Sequence, residues 1–367
     1  MEESLFVKTG EDTGYDIILA HDYISLPEHI EKLGFKGRKI CIISDSNVFP
    51  LYGDIVKEQL KPVSDDIFDI VFAAGEENKH LDTVKKIYEG LIGYHFERND
   101  LIVALGGGVT GDISGYAAAT YLRGIDFIQL PTTLLACTDS SIGGKTGVDL
   151  DEYKNMVGAF KMPRLVYMNL STLKSLNGRE FASGMGEVLK HGLIKDAAYY
   201  EWLINNFSEI NERDSKTLQK MIKRSCEIKR DIVERDPTEK GERALLNFGH
   251  TIGHAIEKYM NFELKHGECV ALGAFAASYI SYKRQLLTTE ECFEIRDMFV
   301  PFGLPVTLPD GADADKILEL TKSDKKMNAG RIRFILLKGI GKAYIDTTVT
   351  DEEMLDGIRQ LVIDKDL

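Results

Sequence analysis

The stretch Leu245–Glu257, "LLNFGHTIGHAIE", sets His250 and His254 four residues apart. Imidazoles at that spacing share a helical face and could ligate a metal ion. A reactive zinc ion usually takes three nitrogen or oxygen ligands and keeps one position open. Further candidates come from "KHGECVALG", with His266 at the start of a helix, and from "GREFASGMGEVLKHGLI", with Glu187, Lys190 and His191 on one face. Spacing alone does not separate His250 from His254, or His191 from either. Cysteine ligands are not expected, because Cys41, Cys137, Cys226, Cys269 and Cys292 lack any paired spacing.

A helix starting soon after Asp236-Pro237 would carry Arg243, Asn247, His250 and His254 as one polar stripe, with Leu245, Phe248, Ile252 and Ile256 on the packed side. Gly249 and Gly253 each lower helix propensity by roughly 1 kcal/mol relative to Ala, so something must approach closely there. A lone histidine is more often a satisfied or solvated imidazole. Four polar groups in a stripe beside glycines favour a site.

A second motif, "LIVALGGGVTGD", reads as a strand running into Gly106, Gly108 and Gly111, then a helix through "ISGYAAATY". Glycines let the backbone approach a phosphate, and the helix start offers free N–H groups. Alone the pattern is weak, and a tight turn packed on the sheet would also explain it. It follows at least two earlier strands, where a common Rossmann unit opens with it. Other strand ends supply company: Asp45 and Asn47 in "ISDSNV", suited to ribose or base hydroxyls, the turn Gly75-Glu76-Glu77-Asn78-Lys79, and the pair Thr132-Thr133.

The third motif is cationic. "CTDSSIGGKTGVDLDEYKNMVGAF" reads as a loop carrying Lys145, Lys154 and Asn155. Leu218, Ile222, Ser225, Lys229 and Ile232 share a helical stripe, so Lys229 faces inward. A buried lysine needs an anionic ligand or a paired acid. Taken singly, a lysine is more often a solvated side chain. With Arg243 and Lys190 they point to something multiply negative, such as a molecule with both carboxylate and phosphate.

The elements that must position these groups differ between the two halves. "KICIISDSNV", "IFDIVFAAGEENK", "DLIVALGGGVTGD", "DFIQLPTTL" and "RLVYMNLSTL" are continuous apolar runs, as in parallel strands covered on both faces. "SLFVKTGEDTGYDIILAHD" adds a hairpin around Gly10–Gly14. From Arg179 to Val300 the period is three to four residues, and "IRFILLKGIGKAYIDT" reads as a late hairpin before a last helix from Asp351. The fold class is therefore α/β plus all-α, with a boundary near residues 172–180 and a cleft between the two parts as the default ligand site. The net charge of −13 argues against nucleic acid or an anionic membrane surface as partner. No apolar run is long enough for a membrane span. Acids at Glu2 and Glu3 and the scattered, odd-numbered cysteines suit a reduced, cytoplasmic protein.

Together "GGGVTGD", "YLRGIDFIQLPTTLLACTDSSIGGKTGV", "KNMVGAF", "GMGEVLKHGLI", "NFGHTIGHAIE" and "HGE" resemble the 3-dehydroquinate synthase family, in order and over essentially the whole chain. The resemblance implies a cytoplasmic homodimer, with a Rossmann-like NAD domain at 1–175 and a mainly helical metal- and substrate-binding domain at 176–367. It implies Glu187, His250 and His266 as ligands to Zn2+ (or Co2+). For NAD it implies Asp45, Asn47, Glu76, Lys79, Gly107, Gly108, Val109, Thr110, Gly111, Asp112, Thr132, Thr133, Lys145, Lys154 and the turn Thr172, Leu173, Lys174, Ser175. For substrate it implies Asp139, Lys145, Asn155, Lys190, Lys229, Arg243, Asn247 and His254, with a lysine of "SDKKMNAG", Lys326 ahead of Lys325, closing the site and Arg123 reaching in from the partner subunit. Of these, Lys145, Asp139, Lys190, Lys229, Arg243 and His254 carry the catalytic roles.

The implied reaction converts 3-deoxy-D-arabino-heptulosonate 7-phosphate to 3-dehydroquinate and phosphate by transient oxidation, elimination, re-reduction, ring opening and aldol closure. NAD ends as it began, so the enzyme is a lyase. The rival readings are a sister cyclase for another sugar phosphate, a metal-dependent polyol dehydrogenase, and a silent NAD- or metal-binding protein.

Overall fold

A computed structural model of the chain describes residues 2–11, 13–151, 153–327 and 333–362; the side chains of 323–327 lie outside the described set. The chain divides into two compact units, Met1–Leu176 with Lys229–Pro237, and Asn177–Ile228 with Thr238–Leu367.

The first unit contains β1 (Glu3–Lys8), β2 (Gly14–Ala20), α1 (Leu26–Lys32), β3 (Ile40–Asp45), α2 (Phe49–Leu60), β4 (Ile67–Phe72), α3 (Leu81–Gly93), β5 (Leu101–Gly106), α4 (Gly108–Thr120), β6 (Asp126–Pro131), β7 (Lys145–Leu150), β8 (Tyr153–Phe160) and β9 (Leu165–Asn169). Seven strands form one sheet in the order β1-β2-β9-β6-β5-β3-β4. Within it only β1 and β2 pair antiparallel. Every residue of β3, β5 and β9 is buried, because helices cover both faces of the sheet. Along β3, Ile40 and Ile42 pack with Ile30, Val56 and Leu60 on one face, while Cys41 and Ile43 meet Val84, Ile87, Ile113 and Ala117 on the other.

From β4 to β9 the spatial order is that of a doubly wound sheet whose winding reverses between β3 and β5. Such a sheet opens a crevice beyond the carboxyl ends of those two strands. Asp45 ends β3 and the glycine turn ends β5, so the motif's late place in the chain fits this topology. One expectation needs correction: the segment around Lys145–Phe160 is an antiparallel ribbon, β7 with β8, where the sequence suggested only a loop. No residue of β8 is fully buried, and the ribbon's turn at Asp151 uses a left-handed backbone (φ +53°) that Asp signals weakly.

The second unit holds α5 (Gly178–Lys195), α6 (Ala197–Asn205), α7 (Phe207–Asn211), most of α8 (Ser215–Arg235), α9 (His250–Tyr259), α10 (His266–Lys283), α11 (Thr289–Phe299), α12 (Ala314–Met327), the hairpin β10 (Phe334–Leu337) with β11 (Ala343–Asp346), and α13 (Asp351–Arg359). α10 is its spine, buried nearly all round. The single helix expected through Arg243 and His254 is broken. Glu242–Asn247 form a 3₁₀ turn, Gly249 takes a left-handed backbone (φ +80°), and α9 starts at His250. The close approach demanded by the glycines is real, and the neighbour is α10. A Cβ on Gly249 would lie 2.8 Å from the Ala274 nitrogen, and one on Gly253 2.8 Å from the Cys269 carbonyl oxygen.

At its other end α10 is tied down by Arg284. Its guanidinium donates to both carboxylate oxygens of Glu353 at 2.6 and 2.8 Å and to Asp346 at 3.0 Å. The hydrogen bonds from Arg284 hold the Glu353 carboxyl below its usual range. A depressed folded pKa means that this stability is present above the unfolded value of about 4.3 and is lost as pH falls through the folded value. Arg284→Met should therefore lose about 2 kcal/mol at pH 7, measured by urea unfolding. The gap to wild type should close on acidification below about pH 4; a gap unchanged at pH 3 would refute the pairing.

All five cysteines are buried thiols. No helix among the described residues is long and apolar enough to cross a membrane.

Candidate active site

In the second unit three helices bring three ligand-type side chains together. Glu187 projects from the middle of α5 and is fully buried. His250 and His266 are the first residues of α9 and α10. Glu187 Oε1 lies 3.2 Å from His266 Nε2 and 3.5 Å from His250 Nε2. Three atoms, one from each residue, lie within 4.8 Å of one another. Ligand atoms sharing a tetrahedral ion with bonds near 2.0–2.1 Å stand about 3.3 Å apart, so the cluster fits such an ion. His250 Nδ1 lies 3.1 Å from the Phe248 carbonyl oxygen. A carbonyl only accepts, so Nδ1 carries the proton and Nε2 keeps its lone pair turned toward Glu187.

The electrostatics agree. Burial holds the His250 imidazole well below its ordinary pKa, so it stays neutral. Burial pushes the Glu187 carboxyl up, but Lys190 and the two imidazoles outweigh it and hold it well below the carboxylate range. Lys190, also buried, lies one helical turn along and meets Glu187 Oε2. His254 is exposed, with its ring centroid 5.2 Å from His250; it also groups with Glu257 and His266. His191 is buried in α5. Arg243 is buried in the 3₁₀ turn, and Asn247 at its end donates to Glu239 Oε1 at 2.7 Å. Glu239, on a left-handed backbone (φ +59°), is a partner that the sequence reading did not single out. Lys326, the expected closing lysine, falls outside the described side chains, as does Lys325.

In the first unit the crevice residues are fastened to one another. Asp45 Oδ1 accepts the backbone N–H groups of Asn47 and Val48 at 2.9 and 3.1 Å, and Oδ2 accepts the Thr110 hydroxyl at 3.0 Å. Asp45 thus binds the two loops of the switch point together. The start of α4 has no side-chain cap, leaving its first N–H groups for a phosphate. A Cβ on Gly111 would lie 2.6 Å from the amide oxygen of the Gln129 side chain, so a larger residue there would displace that side chain. Thr132 is buried beyond β6, its N–H donating to the Gly106 carbonyl at 2.9 Å, and Thr133 follows it. The Thr172 hydroxyl donates to the Asn169 carbonyl, closing the turn that runs through Leu173, Lys174 and Ser175.

The lysines of this unit are held by acids. Lys79, buried, reaches Asp112 at 2.7 Å and Asn155 Oδ1 at 2.6 Å. Burial alone would lower its pKa; Asp112 and Glu76 raise it above the ordinary value instead. Lys154 lies 3.6 Å from Glu76. Asp149, unmarked in the sequence reading, accepts the Asn155 N–H at 2.7 Å and so holds that residue's left-handed backbone (φ +53°). Lys229 is buried, as its stripe implied, and donates to the Asp139 carbonyl and carboxylate at 2.6 Å each. Asp139 reaches it from a wide π-helical turn, Ala136–Ser140. Lys145 at the start of β7 and Arg123 beyond α4 are exposed.

A parallel sheet with an open glycine turn, accompanied by a carboxylate–imidazole cluster on helices, is an architecture with solved parallels. The structure of ValA, a 2-epi-5-epi-valiolone synthase from Streptomyces hygroscopicus with NAD+ and Zn2+ bound, superposes with a TM-score of 0.88, at 27% identity over 97% of this chain and 98% of that one. A 2-deoxy-scyllo-inosose synthase complexed with carbaglucose-6-phosphate, NAD+ and Co2+ gives 0.87 and 27%, over 98% and 100%. NADH-dependent butanol dehydrogenase A of Thermotoga maritima shares the fold at 0.70 with 14% identity, over 97% and 99%. The class is that of NAD-dependent, carbocycle-forming enzymes. Within it, the 3-dehydroquinate synthase N-terminal family model matches residues 69–183 and the C-terminal one 184–327. The 3-dehydroquinate synthase of Rippkaea orientalis is 45% identical over 93% of this chain and 94% of its own length, and that of Acetivibrio thermocellus 43% over 94% and 95%. The chain belongs to the 3-dehydroquinate synthase family.

Proposed function

We infer that the chain converts 3-deoxy-D-arabino-heptulosonate 7-phosphate to 3-dehydroquinate and phosphate, as a lyase that uses NAD catalytically and one divalent ion, zinc or cobalt. The observation that carries the reading is the convergence of Glu187, His250 and His266 in a chain of this family. When bound, the nicotinamide supplies reversible hydride acceptance and the ion Lewis acidity toward substrate hydroxyls.

The rest falls to side chains. Glu187, His250 and His266 hold the ion. Lys190 keeps a cation beside that cluster, preset for an oxyanion developing on the substrate. Asn247 spends an amide hydrogen on Glu239, which fixes its plane and leaves the amide oxygen free to accept a hydroxyl. Arg243 offers a planar fork to phosphate or carboxylate. His254, exposed next to His250, can take or return a proton. In the first unit, Lys145 and Asn155 supply donors to phosphate oxygens, and Lys229 is a cation held still by Asp139. The crevice residues Asp45, Asn47, Glu76, Lys79, Gly107–Asp112, Thr132, Thr133, Lys154 and Thr172–Ser175 hold the dinucleotide, with its pyrophosphate at the start of α4.

The reading includes a cofactor domain at 1–175, a metal domain at 176–367, a cytoplasmic location and a homodimer in which Arg123 serves the partner's site. The exposed apolar side chains Leu150, Tyr153, Met156 and Phe160 on the β7–β8 ribbon support the dimer.

The test mixes purified protein with NAD, zinc and the heptulosonate phosphate. Phosphate should appear with no net NADH. Steady NADH accumulation, or no phosphate, would remove the reading.

A further inference from the structure

Outside the ligand set, one ion pair couples two of the three helices that carry it. Arg179 is the second residue of α5, roughly two turns before Glu187 on the same helix. Its Nε donates to Glu268 Oε1 at 2.7 Å and its Nη2 to Glu268 Oε2 at 2.7 Å. The same Nη2 also donates to the Glu263 carbonyl at 2.8 Å. Glu268 Oε2 in turn accepts the Lys265 backbone N–H at 2.7 Å, capping the start of α10. One guanidinium therefore grips both ends of the segment Glu263–Glu268, and His266 lies inside it.

A close contact stands beside this grip. The Gly267 N–H donates to Ser183 Oγ at 3.0 Å, and a Cβ on Gly267 would fall 1.8 Å from the Ser183 carbonyl oxygen. Backbone meets backbone there, so α10 is pressed against α5 directly beside His266. That contact sets how closely the two helices approach at Gly267. The fork of Arg179 adds a second tie, to the segment that carries His266. Arg179 is half exposed and screened by solvent, so its pair with Glu268 is worth only about 1 kcal/mol of stability. Metal ligands tolerate misplacement far less, since productive geometry holds within about 0.5 Å.

We propose that Arg179 is a positioning residue of the metal centre, clamping the first turn of α10 through Glu268 so that His266 stays in register with Glu187. The proposal rests on the metal-site reading above. Supporting partners of metal ligands typically contribute 10–100-fold in affinity.

The experiment titrates the zinc-loaded enzyme with a chelator of known affinity, alongside Arg179→Ala, Arg179→Lys and Glu268→Gln, and records melting of each metal-free protein. In Arg179→Ala the zinc dissociation constant should rise about 10–100-fold, with metal-free melting shifted by only a few degrees. Arg179→Lys should restore little, because an ammonium cannot reproduce the fork. Glu268→Gln keeps an oxygen for the Lys265 N–H but loses the charge, and it should weaken zinc binding as well. Zinc affinity within twofold of wild type in Arg179→Ala would overturn the clamp. Should that protein fail to fold, the same result in Glu268→Gln would overturn it. A wild-type enzyme that holds no zinc, and is unaltered by Glu187→Gln, would instead overturn the metal site and the clamp with it.

Discussion

Glu187→Gln should leave a folded protein that retains less than a tenth of the wild-type metal and releases phosphate at least about a thousandfold more slowly. The substitution preserves shape and removes one negative charge from a carboxylate that is fully buried. Oε1 faces the Nε2 atoms of His250 and His266, and Oε2 faces Lys190. With Gln in place, the site would hold a divalent ion beside a buried ammonium with no compensating anion. Stability should fall too, since removing one partner of a buried ion pair costs about 3–5 kcal/mol. The amide oxygen can still accept from Lys190, which keeps the loss toward the lower figure. Glu187→Asp separates charge from reach: it keeps the anion but shortens the arm by one methylene, and should bind metal weakly. Metal content after gel filtration, with circular dichroism to establish folding, reads all three proteins. Stoichiometric metal and activity within tenfold in Glu187→Gln would end the assignment.

Gly273→Ala should unfold or splay the helical unit although alanine is the better helix former. In an isolated helix the change gains about 1 kcal/mol. Here a Cβ would lie 1.9 Å from the Gly249 carbonyl oxygen and 2.8 Å from the Gly253 nitrogen. Both are backbone atoms of the chain entering and forming α9, so relief requires α9 and α10 to separate. Overpacking of this kind costs about 3 kcal/mol or more, which exceeds the propensity gain. Because His250 follows Gly249 directly and opens α9, separation also moves a metal ligand. The urea midpoint and the zinc affinity should therefore fall together. A Gly273→Ala protein as stable as wild type would mean that the two helices are not in backbone contact.

Much of this organisation was legible beforehand. Continuous runs such as Ile40–Ser44 and Leu101–Leu105 mark strands covered on both faces, and they are β3 and β5. The inward Lys229 followed from its helical stripe, and the structure supplies the acid, Asp139. Other features depend on partners remote in sequence. The break at Phe248–Gly249 was invisible because the glycines read as a propensity penalty until α10 is placed against them. His250 and His254 have identical spacing signals; what distinguishes them is the Phe248 carbonyl and the burial of the α9 start. Asp45 was read for hydroxyls, yet both its oxygens already accept hydrogen bonds within the two loops. Arg179 and Glu268 lie 89 residues apart, and no local pattern joins them.

The position of β2 bears on how the polypeptide emerges during synthesis. Asp16 to Ala20 pair with Leu165 to Asn169, so the early hairpin finds its parallel neighbour only when β9 leaves the ribosome. At 5–20 residues per second that interval is roughly 7–30 s. Throughout it, Ile17, Ile18 and Leu19 are paired on one side with β1 and open on the other, a sticky edge of the kind that holding chaperones cover.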